Sequence, residues 1–132
     1  MALMSQRSEL WHGTVDGYRG RGCRCEPCRG ASSGANKKRH EEFKVWLAEI
    51  KDQPCADCGI KYPTVCMDLD HRDPSTKLFI VGSSAMRSRA SLVAEAAKCD
   101  VVCANCHRLR TAKQWAEGAI TPGRPRKQTN VL

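Results

Sequence analysis

Phe43, Trp46, Leu47 and Ile50 recur at the i, i+3, i+4, i+7 spacing of a single apolar stripe, with Glu41, Glu42, Lys44 and Glu49 filling the turns around them. That pattern predicts an amphipathic helix over residues 35–53, with Asn36 as its N-cap and Pro54 as its stop. Between Thr64 and His71 the period changes to two. Val65, Met67 and Leu69 alternate with Cys66, Asp68 and Asp70, which predicts a strand. A second short strand is expected from Lys77 to Val81, and the turn formers Asp73, Pro74, Ser75 and Thr76 would join the two as a hairpin with His71 at its end. Ser88 or Ser91 can cap a helix running to about Lys98, with Leu92, Ala96 and Cys99 spaced to face a core. A last helix is expected from near Ala104, carrying His107, Leu109, Arg110 and Trp115 and ending at Gly118.

The flanks read differently. Gly13, Gly17, Gly20, Gly22, Gly30 and Gly34 leave little room for regular structure, so residues 1–34 are expected to form a loop-rich basic module. Residues 118–132 are polar and basic with two prolines, the composition of a disordered tail. No repeat appears beyond the C-x-x-C step itself.

At 132 residues the chain suits one ordinary domain or a small domain with appended modules. Aromatic content of 5% and hydrophobic content of 41% make a lean core, which metal clips or disulfides would help. The nine cysteines are odd in number and their pairs lie two residues apart, which favours metal knuckles over a disulfide framework. Met1 to Leu10 holds no apolar core segment of a signal peptide, and no run is long enough to span a bilayer, so a reducing, cytoplasmic setting without a membrane is expected. A formal charge of +8 is the footprint expected of a phosphate-backbone binder, although a solvated basic surface carries the same charge.

Cys55 and Cys58, then Cys103 and Cys106, form two C-x-x-C knuckles that together supply the four soft ligands of a closed tetrahedral zinc site. His12, Cys23, Cys25 and Cys28 make a Cys₃His set for a second zinc; the alternative is a redox-sensitive basic arm. Arg19, Arg21, Arg24 and Arg29 lie around that set, where they could grip a DNA backbone. Cys66 and Cys99 stand outside both sets and read as small buried hydrophobes.

From Cys55 to about Thr111, this arrangement resembles the HNH endonuclease family, in particular its small phage and bacterial members with a four-cysteine zinc site. The matching residues are Asp70-His71, the segment Lys77 to Val81, and Cys103-Ala104-Asn105-Cys106-His107-Arg108. The resemblance implies a small α+β fold: a ββα-metal finger over residues 54–117 stapled by a Cys₄ structural zinc, preceded by the loop-rich Cys/His module and the helix. It implies cleavage of DNA by a single divalent ion, Mg²⁺, Mn²⁺ or another, in a bacterial host cell, with the phage packaging terminase as a suggested partner.

Phosphodiester hydrolysis needs an activated water, a cation on the developing charge and a stabilised leaving oxygen. His71 suits the water-activating base. Asp70 and His107 are then left as ligands of the divalent ion. Lys77, Arg108 and Arg110 are candidates for phosphate contacts, each with ordinary surface charge as the alternative. The family's middle Asn has no counterpart in Lys98-Cys99-Asp100-Val101-Val102, and Asp100 or Lys98 would have to take its task of holding the loop that bears the base. In the tail, Arg124 and Arg126 lie in Pro122-Gly123-Arg124-Pro125-Arg126-Lys127, which resembles an AT-hook core but reads more readily as a generic basic tail. The expected function is therefore a metal-dependent DNA endonuclease; the rivals are a catalytically inactive zinc-ribbon DNA-binding protein and a protein-interaction module.

Overall fold

Two five-residue strands, β1 (Met67–His71) and β2 (Cys99–Cys103), pair antiparallel in the computed structural model, with Met67 opposite Cys103 and His71 opposite Cys99. The structure describes residues 10–120, and the chain divides into two compact units, Met1–Trp46 and Leu47–Leu132. In element order these hold α1 (Val15–Arg19), α2 (Glu26–Lys51), β1, α3 (Arg89–Ala96), β2 and α4 (Ala104–Ala116), with three 3₁₀ turns between β1 and α3 and before β1. The class is α+β, and the sheet among the described residues has these two strands. No described helix is long and apolar enough to cross a membrane.

The second unit is organised around Cys55, Met67, Val101, Val102 and Cys103, with Ile50, Tyr62, Leu69 and Cys106 packed against them. Met67 and Val102 are fully buried. Two of the five core members are themselves knuckle cysteines, so the apolar core and the sulfur cluster share one centre.

The expected strand at Lys77 to Val81 does not form. Leu78 and Phe79 turn their backbone N–H groups toward the Glu95 carboxylate instead of a ladder partner, and Val81 opens a 3₁₀ turn. The partner of β1 is Cys99–Cys103, so the residues between the strands form turns and α3 in place of the expected hairpin with a longer loop. The predicted strand at Thr64 begins only at Met67, because residues 64–66 make a 3₁₀ turn that leaves Val65 exposed. α3 is capped by the Ser88 side chain, which accepts from Ser91 N–H, and α4 spans the predicted range up to Gly118, which takes a positive φ of 70°.

In the first unit, α2 starts at Glu26 and not at Asn36. Pro27 lies in the first turn, where its missing N–H costs nothing and its fixed φ suits a helix, and Glu26 complements the dipole. Gly30 and Gly34 are carried inside the helix at roughly 1 kcal/mol each relative to alanine. Asn36 is mid-helix, accepting from Arg19 at 2.6 Å. The apolar stripe holds: Phe43 is buried, and Trp46, Leu47 and Ile50 are half-buried.

Candidate metal centres

The first knuckle is a tight turn closed by Gly59 N–H to the Cys55 carbonyl at 2.9 Å and Cys55 N–H to the Ile60 carbonyl at 3.0 Å. Gly59 has φ +73°, a conformation glycine adopts without steric cost. Ala56 N–H donates to the Val101 carbonyl at 2.9 Å, docking the turn onto β2. The second knuckle straddles the junction of β2 and α4. Cys103 ends the strand and caps the helix, its sulfur accepting from Cys106 N–H at 3.4 Å, while its own N–H reaches Cys55 Sγ at 3.2 Å.

The sulfurs of Cys55, Cys58, Cys103 and Cys106 all lie within 4.8 Å of one another. Thiolates around a tetrahedral zinc sit about 3.8 Å apart, given bonds of about 2.3 Å. Burial would raise the Cys55 thiol, but the N–H groups of Cys58, Cys103 and Asp57 aimed at it bring it down to about 6. Cys106 is pushed up to about 12 by the Cys103 sulfur beside it and then by burial. One ready thiolate crowded by groups that resist further negative charge is an arrangement that a divalent cation satisfies.

A second set stands in the first unit. His12 Nδ1 lies 3.4 Å from Cys25 Sγ, 3.5 Å from Cys23 Sγ and 4.0 Å from Cys28 Sγ, and Gly13 N–H donates to Cys28 Sγ at 3.2 Å. α1, capped by Thr14, and the first turn of α2, which carries Cys28, hold the set in place. Both sets can hold a metal ion such as zinc. Of the arginines around the second set, Arg19 bonds Asn36, Arg21 pairs with Asp16 and lies over Trp11, and Arg24 covers Tyr18.

Strand alternation sorts the remaining candidates. Asp68 and Asp70 leave β1 toward α4, where His107 lies between them: Asp68 Oδ2 is 3.0 Å from His107 Nδ1, and Asp70 Oδ1 is 3.5 Å from His107 Nε2. Adjacent ligands of an octahedral cation bound at about 2.1 Å sit about 3.0 Å apart, closer than the 3.5 Å between Asp70 Oδ1 and His107 Nε2. Asp68 and Asp70 therefore flank the imidazole from its two ring nitrogens. Asp68 was missed in the sequence, although its spacing of two from Asp70 puts both on one strand face.

His71 is not brought to that pair. It is 6% exposed, and its Nε2 lies 2.7 Å from Oε1 of Glu95 on α3. Glu95 was also missed; it is buried and receives Lys98 Nζ at 2.8 Å on its other oxygen. Of the two residues proposed to replace the absent Asn, Lys98 does pin the loop after His71, donating to the Thr76 carbonyl at 3.0 Å, whereas Asp100 pairs with Arg72 and Arg110.

Arg110 is committed to carboxylates. Its guanidinium makes a bidentate bond to Asp57 at 2.6 and 2.7 Å, reaches Asp100 at 3.0 Å and Asp70 Oδ2 at 3.3 Å. The Asp57 bond first, then the ties to Asp100 and Asp70, raise its already high pKa further. Lys77 and Arg108 are exposed. Cys99 is buried, as expected, with its thiol raised to about 11 by that burial, but Cys66 is exposed. Arg124 and Arg126, with the rest of the tail from residue 121, lie outside the described residues. No protein-family model, no curated protein and no solved structure matches the chain.

Proposed function

We propose that residues 54–117 are a zinc-stapled ββα-metal finger of the HNH type and that the chain is a metal-dependent DNA endonuclease. The reading rests above all on the Asp68–His107–Asp70 arrangement, in which one carboxylate orients the imidazole and the other shares its free nitrogen's side at 3.5 Å. Asp70 and His107 would hold one divalent ion, which supplies a Lewis acid for the scissile phosphate. His71, next to Asp70 at the end of β1, is the water-activating base. The Cys₄ cluster grips both the turn before β1 and the junction of β2 with α4, so it fixes the backbone that presents His107. The net charge of +8, with exposed Lys77 and Arg108, suits a DNA backbone. A phage setting and a terminase partner follow from the family resemblance alone.

Two observations favour a second reading, an inactive zinc-ribbon DNA-binding protein. Arg110 already engages Asp70 Oδ2, and His71 faces Glu95 on the other side of β1. Plasmid nicking with Mg²⁺, Mn²⁺ or Ni²⁺ separates the two. The nuclease reading expects Asp70→Asn, His107→Ala and His71→Ala each to lose about 100-fold or more while keeping the wild-type zinc content. A wild-type chain that shifts DNA with a steep salt dependence but never cuts it belongs to the second reading.

A further inference from the structure

We propose that Glu95 is the positioning residue for His71, holding the imidazole with its proton on Nε2 so that Nδ1 keeps a lone pair toward solvent. The catalytic half of this inference rests on the nuclease reading; the hydrogen bond does not.

Glu95 is 1% exposed, and all that surrounds its carboxylate donates to it. Oε1 meets His71 Nε2 at 2.7 Å and Leu78 N–H at 2.7 Å, with Phe79 N–H at 3.5 Å, and Oε2 meets Lys98 Nζ at 2.8 Å. An ionised carboxylate has no proton to give, so each partner must supply one, and for His71 that proton is on Nε2. The Lys98 ammonium, followed by Leu78 N–H, His71 and Phe79 N–H, overcomes the effect of burial and holds the Glu95 carboxyl down at about 2. Among the described residues every buried side-chain nitrogen and oxygen has a partner. Glu95 satisfies Nε2, which leaves Nδ1 as the ring nitrogen available to water.

The same carboxylate ties three pieces of chain to one point: the end of β1 through His71, the following loop through Leu78 and Phe79, and α3 on which it stands. Loop anchoring alone would need only the backbone donors and Lys98. The bond to His71 adds control of which nitrogen can take a proton from water, as such partners fix the tautomer of metal-binding histidines, where their loss costs roughly 10–100-fold in metal affinity or activity.

The test uses the full zinc-loaded chain, ¹⁵N-labelled at histidine, with long-range ¹⁵N–¹H correlation spectra beside nicking kinetics. The expected result is an Nε2–H tautomer for His71 in the wild type, lost in Glu95→Ala, whose kcat falls about 10–100-fold with KM for plasmid unchanged. Lys98→Ala loosens the same loop but leaves the carboxylate, and should keep the Nε2–H form. Should Glu95→Ala not fold, Glu95→Gln retains a neutral acceptor and should cut more slowly than wild type with its zinc intact. An Nδ1–H tautomer in the wild type, or a folded Glu95 variant cutting at the wild-type kcat, would overturn the proposal. A wild-type chain that cuts no DNA removes the catalytic half together with the nuclease reading, while the tautomer still decides the other half.

Discussion

Replacing Cys103 by alanine removes one of four converging sulfurs and the cap of α4 in a single step. Cys103 is 4% exposed, belongs to the core cluster, and accepts from Cys106 N–H. The apolar members of that cluster, Met67, Val101 and Val102, contribute about 1.5–3 kcal/mol each when fully buried. A structural zinc contributes about 10–16 kcal/mol in small domains, more than those three side chains together. The expectation is that Cys103→Ala loses the zinc of the second unit, and that the amide resonances of β1 and β2 collapse to the narrow range of unstructured chain. Cys66→Ala is the control, since Cys66 is exposed and outside the cluster, and it should leave zinc content and spectrum unchanged. Heteronuclear correlation spectra with elemental analysis on the same samples provide the readout. A Cys103→Ala protein that keeps dispersed β1 and β2 resonances without zinc would refute the reasoning, because the apolar core would then suffice.

Arg110→Lys should destabilise the second unit by about 2 kcal/mol in denaturant titrations with zinc present, because an ammonium cannot reproduce the bidentate grip on Asp57; wild-type stability in that variant would count against the network. Gly17→Ala should lower the stability of the first unit by about 1–3 kcal/mol, since an added Cβ would lie 2.5 Å from the Trp11 carbonyl oxygen and 2.9 Å from Cys28 Sγ. Gly30→Ala, in open space within α2, should stabilise by up to about 1 kcal/mol, and the two melting temperatures moving the same way would contradict this reading. Glu95 has a folded pKa depressed to about 2 from an ordinary value of 4.5, so its contribution is fully present above pH 4.5 and lost as pH falls toward 2. The stability difference between wild type and Glu95→Gln should not shrink between pH 8 and pH 5; a difference that fades in that window would show that another group carries it.

Where periodicity and chemistry coincide, the chain was legible. The two knuckles, the stripe at Phe43 to Ile50, the Ser88-capped helix and the helix beginning at Ala104 all correspond to local signals, and the folded chain brings both metal-ligand sets together. The strand partner was not legible. Lys77 to Val81 has the residues of a strand, but its N–H groups are claimed by a carboxylate seventeen positions away from Leu78, a long-range bond that leaves no local trace. Cys99–Cys103 reads locally as the end of a helix and the start of a knuckle, although Val101 and Val102 are good strand formers. The same blind spot hid Glu95, which looks like the polar face of α3 until the loop folds over it. It also gave Arg110 a phosphate to bind, when three aspartates from separate segments surround it. Asp68 alone among the missed residues had a visible signal, its alternation with Asp70.

Each unit carries a sulfur-rich cluster that can hold zinc, and the cluster of the second unit is proposed to set the frame in which Asp70 and His107 meet. Elemental analysis of the purified full chain, with native mass spectrometry for stoichiometry, tests it most directly. Two zinc ions per chain are expected, falling to one in His12→Ala and to one in Cys55→Ala. A chain that folds with no zinc bound would contradict it.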